Sequence, residues 1–376
     1  MNSIFTNFNP VILDSAPVAA HYGNPFQEQA RLAQGRGFTD LSHFMVVTVT
    51  GPDRKKWLHS LTTCPLEFMQ PNESRQMLIL DPHGHIEHQA LAMDDGETLF
   101  LLLEPGTAQA LVDFLNKMKF MMRAEIVLHQ DAQIIGVVLP REEKIPEELL
   151  ATADAVLLDL WPKVLAGGAD YGVSDLEHPA ISRQRNYLLY LTERKGFEGK
   201  TNLEHGVDTL VAAGYKVAGL SAWEAQRIVD WQPSFCGEVI FGERVLPHEL
   251  DLLRTGVHLE KGCYRGQETV AKIVNLGKPP RRLAFLYLEG PEGDLPAPGT
   301  RVEFRGRPAG VITSVARDFE SGPVALALLK RNVPADAVLE LGDFVASSVE
   351  IVGTAGKSSV SPETRPGAEL RKTSRS

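Results

Sequence analysis

The order of elements between residues 44 and 128 narrows the fold most. Residues 44–49, Phe-Met-Val-Val-Thr-Val, form a β-branched strand pattern. Gly51-Pro52-Asp53 stops it, and Asp53 is placed to cap a helix running to about Leu61, with Trp57, Leu58 and Leu61 inward. Residues 75–81 and 85–93 read as strands joined across Pro82-His83-Gly84, and Asp95-Gly96 signals a hairpin into a third strand at 98–103. A helix follows to about Lys119, with Leu111, Phe114 and Leu115 on one face, and then a strand at 124–128. The resulting β-α-β-β-β-α-β order predicts an α+β unit with an antiparallel sheet, ferredoxin-like with one added hairpin strand.

Residues 1–34 carry Asn and Pro without periodicity and read as an extended lead-in, followed by a loop at 35–40. Strands at 134–139, 155–160 and 187–191 and helices at 202–213 and from Ser221 to Val229 predict a second α+β unit. That unit is completed by segments from elsewhere in the chain. Ser221-Ala222-Trp223-Glu224 has the spacing of a capping box. After Lys278-Pro279-Pro280 the texture changes to short strands at 282–288, 300–304, 309–317, 324–329 and 337–341, which predict a small β-barrel. The expected division is 1–34 lead-in, 35–130 first unit, 131–280 second unit, 281–353 barrel and 354–376 disordered tail.

Composition excludes several functions. A formal net charge of −10 argues against a general binder of nucleic acid or anionic membrane, because both need a positive footprint. No apolar run is long enough to span a bilayer, and no secretory leader is expected. Three scattered cysteines, with no Cys-x-x-Cys, fit a reducing cytoplasm. Three thiolates fall short of the four that hold a stable iron–sulfur cluster, and no metal site is expected. Three histidines and two carboxylates crowd residues 81–88, but strand alternation splits them between faces, so this hairpin reads as a solvated turn.

The chemistry concentrates at residues 261–268, Lys-Gly-Cys-Tyr-Arg-Gly-Gln-Glu. Gly262 and Gly266 permit backbone conformations closed to other residues, and a helix is expected from Gln267. Cys263 would then sit just before a helix N-terminus, between Lys261 and Arg265, where a thiolate is favoured. The alternative is a small buried filler, the common fate of a free cysteine.

The run Lys261-Gly262-Cys263-Tyr264 followed by Gly266-Gln267-Glu268 resembles the signature of the YgfZ family, folate-binding relatives of the glycine-cleavage T-protein. The resemblance implies a T-protein-like folate-binding body of ferredoxin-like units with a C-terminal barrel. It also implies a functional thiol at Cys263 and a bound tetrahydrofolate or derivative. The T-protein places an Asp-Asp pair in the turn that matches Glu87-His88 here, so aminomethyl transfer loses its aspartate while the folate cleft is kept. The helix Ala222-Trp223-Glu224-Ala225-Gln226-Arg227-Ile228 resembles one that lines the family's central cavity. Carried over, Arg227 suits a folate carboxylate or a buried backbone carbonyl, with a structural ion pair to Glu224 as the alternative, and Trp223 is either core or a wall of the cavity. Glu249 would organise the cysteine loop, Arg281 and Arg282 would meet a glutamyl tail, and the T-protein's pterin-reading glutamate finds no match. The function implied is support of iron–sulfur cluster assembly or repair, with client proteins or assembly factors as partners and indirect effects on tRNA-modifying enzymes. A folate-dependent aminomethyl- or methyltransferase is the second reading and a non-catalytic scaffold the third.

Overall fold

The computed structural model describes residues 3–13, 18–191 and 200–362. Its body is built on two five-stranded sheets, and a closed six-stranded barrel follows. One sheet takes Glu73–Leu80, Ile86–Asp94, Thr98–Leu103, Met45–Thr50 and Glu125–His129 in that spatial order, all antiparallel. Alternation along these strands creates two faces. Val47, Val49, Leu99, Leu101 and Leu103 pack under Trp57 and Leu58 of the Arg54–Leu61 helix and Leu111 and Leu115 of the Ala108–Met118 helix. Val46, Phe100 and Leu102 point the other way, into a layer shared with the second sheet.

The second sheet has the order Lys216–Val217, Gly37–Asp40, Gln133–Pro140, Arg183–Tyr190 and Ala155–Leu158. Its inner face gives Ile134, Val138, Tyr187 and Leu189 to the shared layer. Its outer face packs Ile135, Val137, Leu139 and Leu188 against Leu203, Val207 and Leu210 of the Asn202–Ala212 helix. The body is therefore helix, sheet, sheet, helix, with its central layer between two sheets.

Several local expectations change. Residues 37–40 are a strand rather than a loop, because Gly37–Asp40 finds antiparallel partners in 135–138 and a parallel partner in 216–217. The segment before it is not extended: Pro25–Ala33 is a helix, capped by Asn24, whose side chain accepts from the Phe26 and Gln27 backbone. Asp53 does not cap its helix; its carboxylate instead holds Arg123 at 2.8 Å. The Ser221–Glu224 capping box does not form. Helix Leu220–Val229 begins at Gly219, whose N–H goes to buried Glu28 at 2.9 Å, and Glu224 turns to Arg227. The capping box falls on Thr201 and Glu204 instead.

The barrel takes Arg281–Glu289, Gly322–Lys330, Arg307–Asp318, Arg301–Phe304, Val338–Leu341 and Phe344–Glu350 around its circumference. The sixth strand, Phe344–Glu350, was not among those expected; it closes the ring against Arg281–Glu289. A large apolar cluster joins barrel to body, with Leu283, Phe285, Leu326 and Leu328 meeting Leu78, Leu80, Ile228 and Val270. Residues 354–362, expected to be disordered, are tied to the loop at Asp170 and Tyr171, with Ser359 N–H donating to the Asp170 carbonyl at 3.0 Å. The remainder of that tail lies outside the described residues. Among the described residues no helix is long and apolar enough to cross a membrane.

Candidate functional site

Where the helix Leu220–Val229, the inner faces of both sheets and the barrel meet, a cavity of about 430 Å³ remains. One wall is aromatic. Trp223 lies 5.9 Å from the Tyr187 ring, and Tyr187 lies 6.4 Å from Phe44. The wall is set by a glycine: a Cβ on Gly136 would fall 2.7 Å from the Trp223 ring, so only glycine lets the indole lie on that strand. Gln76, Gln89, Glu104, Asp159, Arg185, Glu224, Arg227, Ser234, Cys236, Thr313 and Ser314 supply polar lining.

Of the residues singled out in the sequence, Trp223 and Arg227 line this cavity. Trp223 is almost wholly buried, so it is core and wall together. Arg227 is fully engaged. It donates to Glu224 at 2.8 Å, the Gln232 carbonyl at 2.8 Å, Glu238 at 3.2 Å and the Ser314 hydroxyl at 2.8 Å. A guanidinium so occupied holds helix, loop and barrel together and keeps little for a ligand.

Glu87 and His88 are not among the cavity's lining residues. The register shifts beside them, with Ile79 opposite His88 and Leu80 opposite Ile86. Glu87 pairs with Arg265 at 2.6 Å. The His88 ring packs 5.3 Å from Phe114, under the helical layer, where burial and then Arg265 pull its pKa down to about 4. Gln89, one residue further on, is the side chain that reaches the cavity.

The 261–268 loop packs on the turn of that hairpin, with Gly266 against Asp81 and Gly84. Gly266, at φ +82°, is the N-cap of helix Gln267–Asn275, and a Cβ there would fall 2.7 Å from the Asp81 carbonyl. Gln267 reaches back to the Lys261 carbonyl at 3.4 Å, while Glu268 is exposed and Gly262 has open space around it. Lys261 is buried. Its ammonium donates to the carbonyls of His59 and Thr62 and lies 5.3 Å from the centre of the Tyr264 ring. Burial lowers its pKa to about 8 and pushes the Tyr264 phenol up. The two cations expected to flank Cys263 are thus committed elsewhere, Lys261 to carbonyls and Arg265 to Glu87. Cys263 itself is exposed and is not one of the cavity's lining residues.

The cysteine that lines the cavity is Cys236. Its thiol donates to the Pro105 carbonyl at 3.4 Å, and burial, then the Glu104 carboxylate, push its pKa up to about 12. Glu104 accepts from the backbone of Phe235 and Cys236 at 2.8 Å each, and burial raises its own pKa. Glu249, expected to organise the cysteine loop, instead anchors the start of the barrel, accepting from Arg281 Nε and Nη2 at 2.9 Å each. Arg282 is fully buried and donates to the Val333 carbonyl at 3.3 Å. Both arginines are therefore structural. Among the described residues no group of three or more His, Cys, Asp or Glu is placed to hold a metal ion.

Three side chains of the lining each carry a buried polar atom that has no hydrogen-bond partner among the described residues: Arg185 Nε, Gln89 Oε1 and His43 Nδ1. Burying such atoms unpaired is costly, so a turn of the side chain towards a polar ligand recovers that cost. Sequence reasoning missed Arg185, Gln89, Glu104 and Cys236. Alternation along two strands signals the inward face for the first two; nothing in the sequence signals that Cys236 meets Glu104.

Comparison with known proteins agrees with this architecture. No family model matches the chain. It is 25% identical over 334 residues to a putative chloroplastic transferase of Arabidopsis thaliana, covering 84% of this chain and 68% of that one. It is 24% identical to the tRNA-modifying protein YgfZ of Edwardsiella ictaluri (83% and 89% covered). It is 27% identical to an aminomethyltransferase of Streptomyces coelicolor (81% of each). The glycine cleavage system aminomethyltransferase T from Bartonella henselae superposes with a TM-score of 0.64 over 92% of this chain and 94% of that one, at 14% identity. The chain shares the fold of that aminomethyltransferase T: a mixed α and β body with a closed C-terminal barrel. Relatives named tRNA-modifying protein YgfZ, at 24% identity, recur among the similar proteins, in line with the resemblance carried by residues 261–268.

Proposed function

We propose that this chain binds a reduced folate in the central cavity and supports iron–sulfur cluster assembly or repair in client enzymes, with tRNA modification affected through those clients. The observation that carries the reading is the aromatic-walled cavity with unpaired polar atoms among its lining residues. A flat heterocycle with a polar edge suits such a slot. Trp223, Tyr187 and Phe44 would wall the ring, and Arg185 and Gln89 would meet its edge. When bound, the folate would supply a one-carbon carrier; the residues around it bind, orient and exclude water.

Cys263 acts in this reading at the surface. An exposed sulfur beside a rigid helix start is open to a partner's iron or sulfur, and it stands outside the cavity that would hold a folate adduct. A transferase reading is favoured by one feature, the half-buried Glu104 side chain, whose carboxyl pKa desolvation raises. It would use Glu104 where Glu87 stands outside the lining. Calorimetry with tetrahydrofolate tests the main proposal. Saturable binding at one site per chain is expected, and no heat at millimolar ligand would leave only a scaffold.

A further inference from the structure

Arg185 and Arg227 both line the cavity, and their surroundings differ. Arg227 has four hydrogen-bond partners. Arg185 is 5% exposed and makes one long hydrogen bond, Nη2 to the Trp223 carbonyl at 3.5 Å. Its ion pair with Asp230 spans 3.7 Å, and Asp230 already holds Arg183 at 2.6 Å and Gln226 at 3.1 Å. Its Nε is buried without an acceptor. The guanidinium sits 4.8 Å from the centre of the Trp223 ring, beside the aromatic wall.

An arginine held there by stacking, with donor capacity unspent, fits an acceptor on a flat ring. The Asp159 carboxylate takes Gln232 and the Trp161 N–H, and this residue meets Arg185 through a backbone bond at 2.9 Å rather than through the guanidinium. Gln89 can turn either end of its amide to a ligand, so it discriminates little. Arg185 can only donate.

We propose that Arg185 donates to the 4-oxo oxygen of the bound pterin, making it the residue that selects 4-oxo over 4-amino heterocycles. This rests on the folate reading above. A 4-amino group would face a fixed cation with another donor and leave Arg185 unpaired.

The test measures wild-type and Arg185→Met binding of tetrahydrofolate, 6-methyltetrahydropterin and the 2,4-diamino counterpart of that pterin by calorimetry. Wild type is expected to prefer the 4-oxo pterin by about tenfold or more, the worth of one buried hydrogen bond. In Arg185→Met that ratio should fall towards one, a change that general loss of structure does not mimic. An unchanged ratio in the variant, or loss of tetrahydrofolate binding with the pterin pair unaffected, overturns the assignment. Should the variant not fold, a wild type that binds both pterins equally overturns it by itself. Wild type that binds no tetrahydrofolate sinks the folate reading, and the assignment with it. Wild type that binds tetrahydrofolate but does not discriminate sinks the Arg185 assignment alone.

Discussion

Burial raises the Cys64 thiol to about 11, and burial with Glu104 beside it takes Cys236 to about 12. Cys263 is exposed. At pH 8 the native protein should therefore show one fast-reacting thiol towards an aromatic disulfide reagent, and Cys263→Ala should remove it. The same variant should bind tetrahydrofolate as the parent does while failing to support cluster enzymes in cells. A drop in folate affinity would put the sulfur in the ligand's path instead. At this scale the sequence marks residues better than it marks neighbours. Lys261 and Arg265 flank Cys263 in the chain, yet one cation is drawn inward to the His59 and Thr62 carbonyls and the other across to Glu87. Adjacency in sequence says where a side chain starts; what it reaches depends here on a helix end 199 to 202 residues away and a strand 178 residues away.

Among the elements, the start of helix Gln267–Asn275 joins the cysteine loop to the Asp81–His85 turn. Gly266 at φ +82° leaves no room for a Cβ against the Asp81 carbonyl. Gly266→Ala should cost on the order of 1–3 kcal/mol, read from the urea midpoint, with the loop loosened first. Full stability in that variant would mean the helix start adjusts freely. Most strands of the first unit were legible because each carries its own alternation and turn: Asp95-Gly96 makes the expected hairpin, with Gly96 at φ +106°. Gly37–Asp40 was not legible. Four residues carry no period, and its partners lie at 133–140 and 216–217. The Pro25–Ala33 helix was missed although Asn24-Pro25 is a start signal, because its buried residues are two polar side chains, Glu28 and Gln29, and a single leucine, Leu32. The cavity residues Arg185 and Gln89 sit on strands whose inward face could be inferred. Which inward positions stay unfilled depends on how the two sheets and the barrel close, and no single stretch records that.

For the molecule as a whole, acid should be damaging over a defined window. Burial lowers His43, His88 and His248 to about 4 and His178 to about 3. An unfolded chain takes up those protons near pH 6.5. Between pH 6.5 and 4 the unfolded state thus binds protons that the folded state refuses, and stability falls as pH falls, on the order of 1–3 kcal/mol for each such group. Burial of Asp251 raises its pKa and works the other way, so the comparison is parent against variant. His248→Gln should lessen the drop in urea midpoint between pH 7 and pH 5, and an equal drop in both would clear His248 of the effect.

The strand Gly37–Asp40 is hydrogen-bonded on one side to Gln133–Pro140 and on the other to Lys216–Val217. During synthesis it leaves the ribosome before either partner, with bare edges on both sides, and its second partner is not made until some 175 residues later. At about 5–20 residues per second the nascent chain carries that open segment for roughly ten seconds or more. Its four-residue length limits what a wandering strand could grip in the meantime.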